Sequence, residues 1–175
     1  MNSNLIITIG REYGTGGREI GQKLALLLGV PFYDRELITR AAKKTGFDEK
    51  LFEQLDKRAT NSFLYSLTMF GSVGLNGMSL TDQLYLAQSN IIREMAEDSS
   101  CVIVGRCADH VLRDFPNKFD FFIHGSIEDR VKRVQTCGDY VIEGKTPEAA
   151  LEKMDKQRST YYNYNTGKVW GKCDH

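Results

Sequence analysis

The stretch from Leu5 to Gly29 does most to limit what this chain can fold into. Leu5-Ile6-Ile7-Thr8-Ile9 is a short, apolar, β-branched run that predicts a buried strand. It leads into Gly10-Arg11-Glu12-Tyr13-Gly14-Thr15-Gly16-Gly17-Arg18-Glu19. An amphipathic segment follows, with Ile20, Leu24, Leu27 and Leu28 at helical spacing, and it stops at Gly29 with Pro31 just beyond. A glycine turn between a buried strand and a helix N-terminus is a phosphate cradle. The glycines let backbone N–H groups converge on an anion, and the helix dipole adds partial positive charge. A nucleotide-type ligand is the natural occupant.

The rest of the chain alternates in the same way. Pro31-Phe32-Tyr33-Asp34 reads as a short extended piece, Arg35 to Thr45 as a helix ended by Gly46, and Asp48 to Arg58 as another. Asn61 to Ser79 mixes Phe63, Leu64, Tyr65, Leu67, Met69 and Phe70 with Gly71, Gly74 and Gly77, a pattern suited to a flap or subunit contact. Leu80, Leu84, Ala87, Ile91 and Met95 mark one face of a helix, capped by Ser79 with Asp82. Cys101 to Gly105 predicts a second buried strand and Phe119 to Ile123 a third, which feeds a helix capped by Ser126 with Asp129. Thr146-Pro147 opens a further helix, and Tyr161 to His175 is a polar, aromatic tail. Strands alternating with helices imply an α/β fold on a parallel sheet.

Composition narrows the function. Lys+Arg and Asp+Glu both number 23, so no net field draws in nucleic acid or a membrane. Cys101, Cys107, Cys137 and Cys173 show no C-x-x-C pair and no zinc spacing, which fits thiols in a reducing cytoplasm. No signal peptide and no run of membrane-spanning length is evident, so a cytoplasmic location is expected.

Two templates compete for the glycine turn. The dinucleotide fingerprint G-x-G-x-x-G finds Gly14, Gly16 and an acid at Asp34, but Glu19 stands at its third glycine. The P-loop G-x-x-x-x-G-K-[ST] finds Gly16 as its second glycine, with Arg11 at the first, Gly17 at the lysine and Arg18 at the serine/threonine. The residues alone leave both open, together with a turn that binds nothing.

Three separated blocks resemble the cytidylate kinase-like family, an offshoot of the P-loop nucleoside monophosphate kinases. They are Ile7-Thr8-Ile9-Gly10-Arg11-Glu12-Tyr13-Gly14-Thr15-Gly16-Gly17-Arg18-Glu19-Ile20-Gly21, then Pro31-Phe32-Tyr33-Asp34-Arg35-Glu36-Leu37, then Val102-Ile103-Val104-Gly105-Arg106-Cys107-Ala108-Asp109. The resemblance implies one P-loop NTPase domain over residues 1–175, a three-layer α/β/α with a parallel sheet. It also implies an acceptor-binding insertion at about 35–80 and a helical lid at about 138–165. The implied activity is ATP-dependent phosphoryl transfer to a small acceptor, first of all a nucleoside monophosphate such as CMP or dCMP, with ATP and Mg²⁺ as cofactors.

By resemblance, Arg11, Gly14, Thr15, Gly16, Gly17 and Arg18 would hold the ATP phosphates. Asp34, Arg40, Arg106 and Arg130 would hold the acceptor, and Cys107 stands where the family's aspartate follows the arginine. Arg158 would close from the lid, and Arg18 would stand in catalytically for the missing lysine. Glu19 is the nearest oxygen donor for Mg²⁺. The bland counterparts are clear: Asp34 as a helix N-cap, solvated helical arginines at 40, 130 and 158, structural His110 and His124, and Tyr161, Tyr162 and Tyr164 packing on themselves rather than on a base. The rival to a kinase is a non-catalytic nucleotide- or phosphate-binding protein with a degenerate P-loop. A more distant third is an interaction protein, or a homo-oligomer, built on Phe63 to Gly77.

Overall fold

The computed structural model describes residues 4–35, 80–138, 140 and 146–172. The helices expected over 35–45 and 48–58, Ser79, Arg40, Cys173 and the Phe63–Gly77 segment lie outside them, apart from Arg35 itself. Strand β1 (Ile6–Arg11) is followed by helix α1 (Gly17–Leu28) and strand β2 (Phe32–Tyr33). Helix α2 (Leu80–Asp98), strand β3 (Cys101–Val104), the single turn α3 (Ala108–Val111) and strand β4 (Lys118–Ile123) come next. Helices α4 (Ile127–Thr136) and α5 (Pro147–Thr166) complete the order.

Among the described residues the sheet is four-stranded and wholly parallel, in the order β2-β3-β1-β4. The central pair is registered Ile6 to Cys101 and Ile9 to Val104. Alternation along these strands sends side chains to two separate cores. Ile6, Cys101 and Ile103 pack with Ile92, Ala96, Ala108, Val111 and Leu112 on the α2–α3 side. Ile7, Ile9, Val102 and Val104 pack with Ala25 of α1 on the other. Both faces of β1 and β3 are therefore buried, which is why they read as unbroken apolar runs. The result is the expected three layers. No helix among the described residues is long and apolar enough to cross a membrane.

Local signals place the helix ends. Ser126 caps α4 by accepting from the Asp129 amide, and Thr146 caps α5 by accepting from the Ala149 amide, with Pro147 in the first turn.

Three expectations need correcting. The buried face of α1 is Gly17, Gly21 and Ala25, whereas Ile20 and Leu28 are exposed and Leu27 is 83% exposed. Small residues win because the helix lies very close to the sheet. A Cβ on Gly21 would sit 2.8 Å from Val104 and 3.0 Å from Phe32. Strand β4 is not buried: it is the sheet edge among the described residues, and Phe119 and Phe121 are 53% and 51% exposed. The tail expected from Tyr161 is still helix as far as Thr166, where Gly167 at φ 69° ends α5. Beyond it, Trp170 packs edge-on to Phe122 with ring centroids 5.0 Å apart.

Candidate functional site

The glycine turn joins the end of β1 to the start of α1, and it is held from three sides. Glu12 accepts from the Gly125 amide at 3.0 Å and lies 3.4 Å from the Arg130 guanidinium. The Tyr13 amide donates to Asp155 of α5 at 2.7 Å, and its carbonyl accepts from Arg130 Nε at 2.8 Å. Thr15 donates its hydroxyl back to the Glu12 carbonyl at 2.9 Å. Gly16, at φ 76°, precedes α1 and offers no side-chain cap to the helix N–H groups. An anion is the complement of such an end.

Beside the turn, a cavity of about 440 Å³ opens at the C-terminal ends of β1, β3 and β4 and is roofed by α5. Open α/β sheets bind ligands at this edge. Arg11 reaches it from the end of β1, Arg35 from the residue after Asp34, Arg106 from the turn after β3 and Arg158 from α5. Arg158 donates to the Arg11 carbonyl at 3.1 Å and lies over the Tyr13 ring at 5.1 Å. Arg106 lies over Tyr161 at 5.7 Å. Burial, then the charges of Arg158, Arg106 and Arg35, push the Arg11 guanidinium well below its ordinary pKa. So many like charges in a part-buried space call for an anionic ligand.

The backbone after β3 is distorted to make this arrangement. Gly105, Arg106 and Cys107 all have positive φ, at 79°, 58° and 56°. A Cβ on Gly105 would meet only the movable guanidinium end of Arg11, so it is the positive φ that calls for glycine there. Arg106 and Cys107 have no such excuse, and strain of this kind clusters at functional sites. Burial pushes the Cys107 thiol up, so it is a packed, inert group. Tyr161 and Tyr162 spend their hydroxyls on Gln88 at 3.2 Å and Asp109 at 2.5 Å, and Tyr164 spends its own on Asp82 at 3.2 Å.

The sequence-predicted residues thus divide. Arg11, Arg106 and Arg158 meet in the cavity; Gly14, Thr15, Gly16 and Gly17 form the turn. Arg18 is 55% exposed, donates to Asp34 at 2.7 Å and lines neither this cavity nor the smaller one described next. Asp34 is buried, and its carboxylate is spent on that arginine. Arg130 is buried under the turn between Glu12 and Asp155, and lines a second hollow of about 360 Å³ with Gly14, Thr15, His124 and Arg133. Arg40 lies outside the described residues. Sequence reasoning missed Arg35, which stands in the second family block but was given no role there, Arg133, which sits in no motif, and Asp155, which only the packing of α5 on the turn brings into play.

The chain matches the cytidylate kinase-like family over residues 6–175. The chain belongs to that family. Among solved structures it is similar to an uncharacterized protein from Eubacterium ventriosum ATCC 27560, at 32% identity and a TM-score of 0.68, covering 98% of this chain and 84% of that one. It also resembles a gluconokinase from Sinorhizobium meliloti 1021, at 16% identity and a TM-score of 0.51, covering 90% and 76% of the two chains. A shikimate kinase from Bacteroides thetaiotaomicron aligns at 17% identity and a TM-score of 0.50, over 91% and 82%. These last two share the fold. No curated protein matches the chain.

Membership settles the choice of template for the turn in favour of the P-loop. The turn fits a polyphosphate, because the helix start carries no side-chain cap and the Arg133 guanidinium stands against Gly16. It does not fit a protein-held Mg²⁺. No group of three or more His, Cys, Asp or Glu suited to a metal occurs among the described residues. Glu19, the expected donor, is paired with Lys23 at 2.7 Å and with Arg133. Two cations already claim its carboxylate.

Proposed function

We propose that the chain transfers the terminal phosphoryl group of ATP to a small phosphate-bearing acceptor, with a nucleoside monophosphate such as CMP or dCMP as the first choice. The observation that carries this reading is the convergence of Arg11, Arg35, Arg106 and Arg158 on one cavity beside the P-loop turn. Phosphoryl transfer asks little covalent chemistry of a protein; it needs in-line positioning and neutralisation of charge on the moving group. In this reading Arg106 and Arg35 would hold the acceptor phosphate, and Arg11 and Arg158 would bridge the two phosphates. Helix α5, already folded down on the turn through Asp155 and Arg158, keeps water from the reacting group.

A second reading has its own support. Gly17 replaces the P-loop lysine and Arg18 replaces the hydroxyl. A protein that binds nucleotide without turnover would look the same. ADP release from Mg-ATP, measured across a panel of nucleoside monophosphates, separates the two. A kinase shows acceptor-dependent release that falls by about 100-fold or more in Arg106→Ala. Saturable ATP binding with no release under any acceptor rejects the kinase and leaves the sensor.

A further inference from the structure

The absence of lysine at position 17 has a steric reason. A Cβ on Gly17 would lie 2.7 Å from Cβ and 2.9 Å from Cγ of Arg11. The stem of Arg11 fills the space a longer residue would need. A cation at the place of the P-loop lysine must therefore come from another element, and Arg133 of α4 is already beside the turn. The point where a Cβ on Gly16 would stand is 2.7 Å from its Cζ, 2.8 Å from Nη2 and 2.9 Å from Nε. Near-equal distances mean that the guanidinium lies flat against the Gly16 backbone. It is tethered by Nη2 to Glu19 and by Nε to the Tyr140 hydroxyl at 3.3 Å.

We propose that Arg133 supplies the charge that a P-loop lysine supplies elsewhere, and that Glu19 holds it in place until donor phosphate displaces the carboxylate. The assignment rests on the reading of the glycine turn as the donor-phosphate site. The exchange is chemically even-handed: one anion leaves a guanidinium and another with more charge and a matching fork of oxygens takes its place. Lys23, 2.7 Å from Glu19, keeps that carboxylate neutralised when it lets go. The Glu19–Arg133 pair is partly exposed, so little resists the opening. Arg18 is left to its bond with Asp34.

Calorimetric titration of wild type, Arg133→Ala, Arg133→Lys and Glu19→Gln with ATP, ADP and adenosine tests this. Arg133→Ala weakens ATP by about tenfold or more, and adenosine not at all. Arg133→Lys recovers part of the loss. Glu19→Gln tightens ATP several-fold, because no carboxylate competes for the guanidinium. Equal ATP affinity in Arg133→Ala and wild type, or a tighter one, overturns the assignment while leaving the donor site standing. Weaker ATP binding in Glu19→Gln does the same, and serves if the alanine variant fails to fold. A wild type that binds no ATP overturns the donor-site reading and this assignment with it.

Discussion

At the scale of single residues, the site is defined by strain and by charge set against charge. Arg106 keeps φ at 58°, a conformation that costs about 1 kcal/mol or more for a residue with a side chain. Its charge also depresses Arg11. Arg106→Gly therefore raises the melting temperature of the ligand-free protein by about 2–4 °C while removing turnover. A lower melting temperature in a scanning calorimeter would show that Arg106 supports the fold instead. Because the pKa of Arg11 is lowered in the folded state, the penalty for its charge is present below that pKa. It is relieved as pH rises through it toward the unfolded value. An anion relieves the same penalty at neutral pH. Sulfate or inorganic phosphate should raise the melting temperature of wild type, and do so much less in Arg106→Gly. An equal rise in both would argue against the cavity as the anion site. Arg11 and Arg106 were legible because they sit in family blocks, and Arg158 because it resembles the family's lid arginine. Arg35, although inside one of those blocks, and Arg133 were not, since only folding brings Arg35 to the cavity and Arg133 to the turn.

At the scale of elements, the telling contact is between α5 and the glycine turn. Asp155 takes the Tyr13 amide and pairs with buried Arg130, and Arg158 takes the Arg11 carbonyl. Removing Asp155 strands a guanidinium that is 9% exposed beside the turn. Asp155→Ala is expected to destabilise the fold by about 3 kcal/mol in urea unfolding, and to lower turnover further than stability alone explains. A change below about 0.5 kcal/mol would mean that Glu12 alone suffices for Arg130. Helix caps were readable because a cap is a local bargain between one hydroxyl and one amide, as at Ser126 and Thr146. The buried face of α1 was not. Periodicity picks the apolar stripe, whereas the buried face is Gly17, Gly21 and Ala25, because α1 lies too close to Arg11, Val104 and Phe32 for larger residues. Phe119 and Phe121 misled for a related reason: an apolar run does not tell a central strand from an edge.

At the scale of the whole molecule, the alternation of strands and helices dictates the layers, and the family resemblance points to the P-loop. What it could not reach was how the parts of the site are shared out. The turn and α4 line one hollow, and the edge after β1 and β3 together with α5 lines the other, so each element brings one or two groups and none brings a complete site. The central claim is that this assembly moves a phosphoryl group between two phosphate-bearing molecules. Phosphorus NMR of the protein with Mg-ATP and CMP tests it most directly. The account predicts CDP and ADP growing together as ATP and CMP decline, with no inorganic phosphate. ATP that stays intact while bound, or that goes to ADP and inorganic phosphate at the same rate with and without CMP, would contradict it.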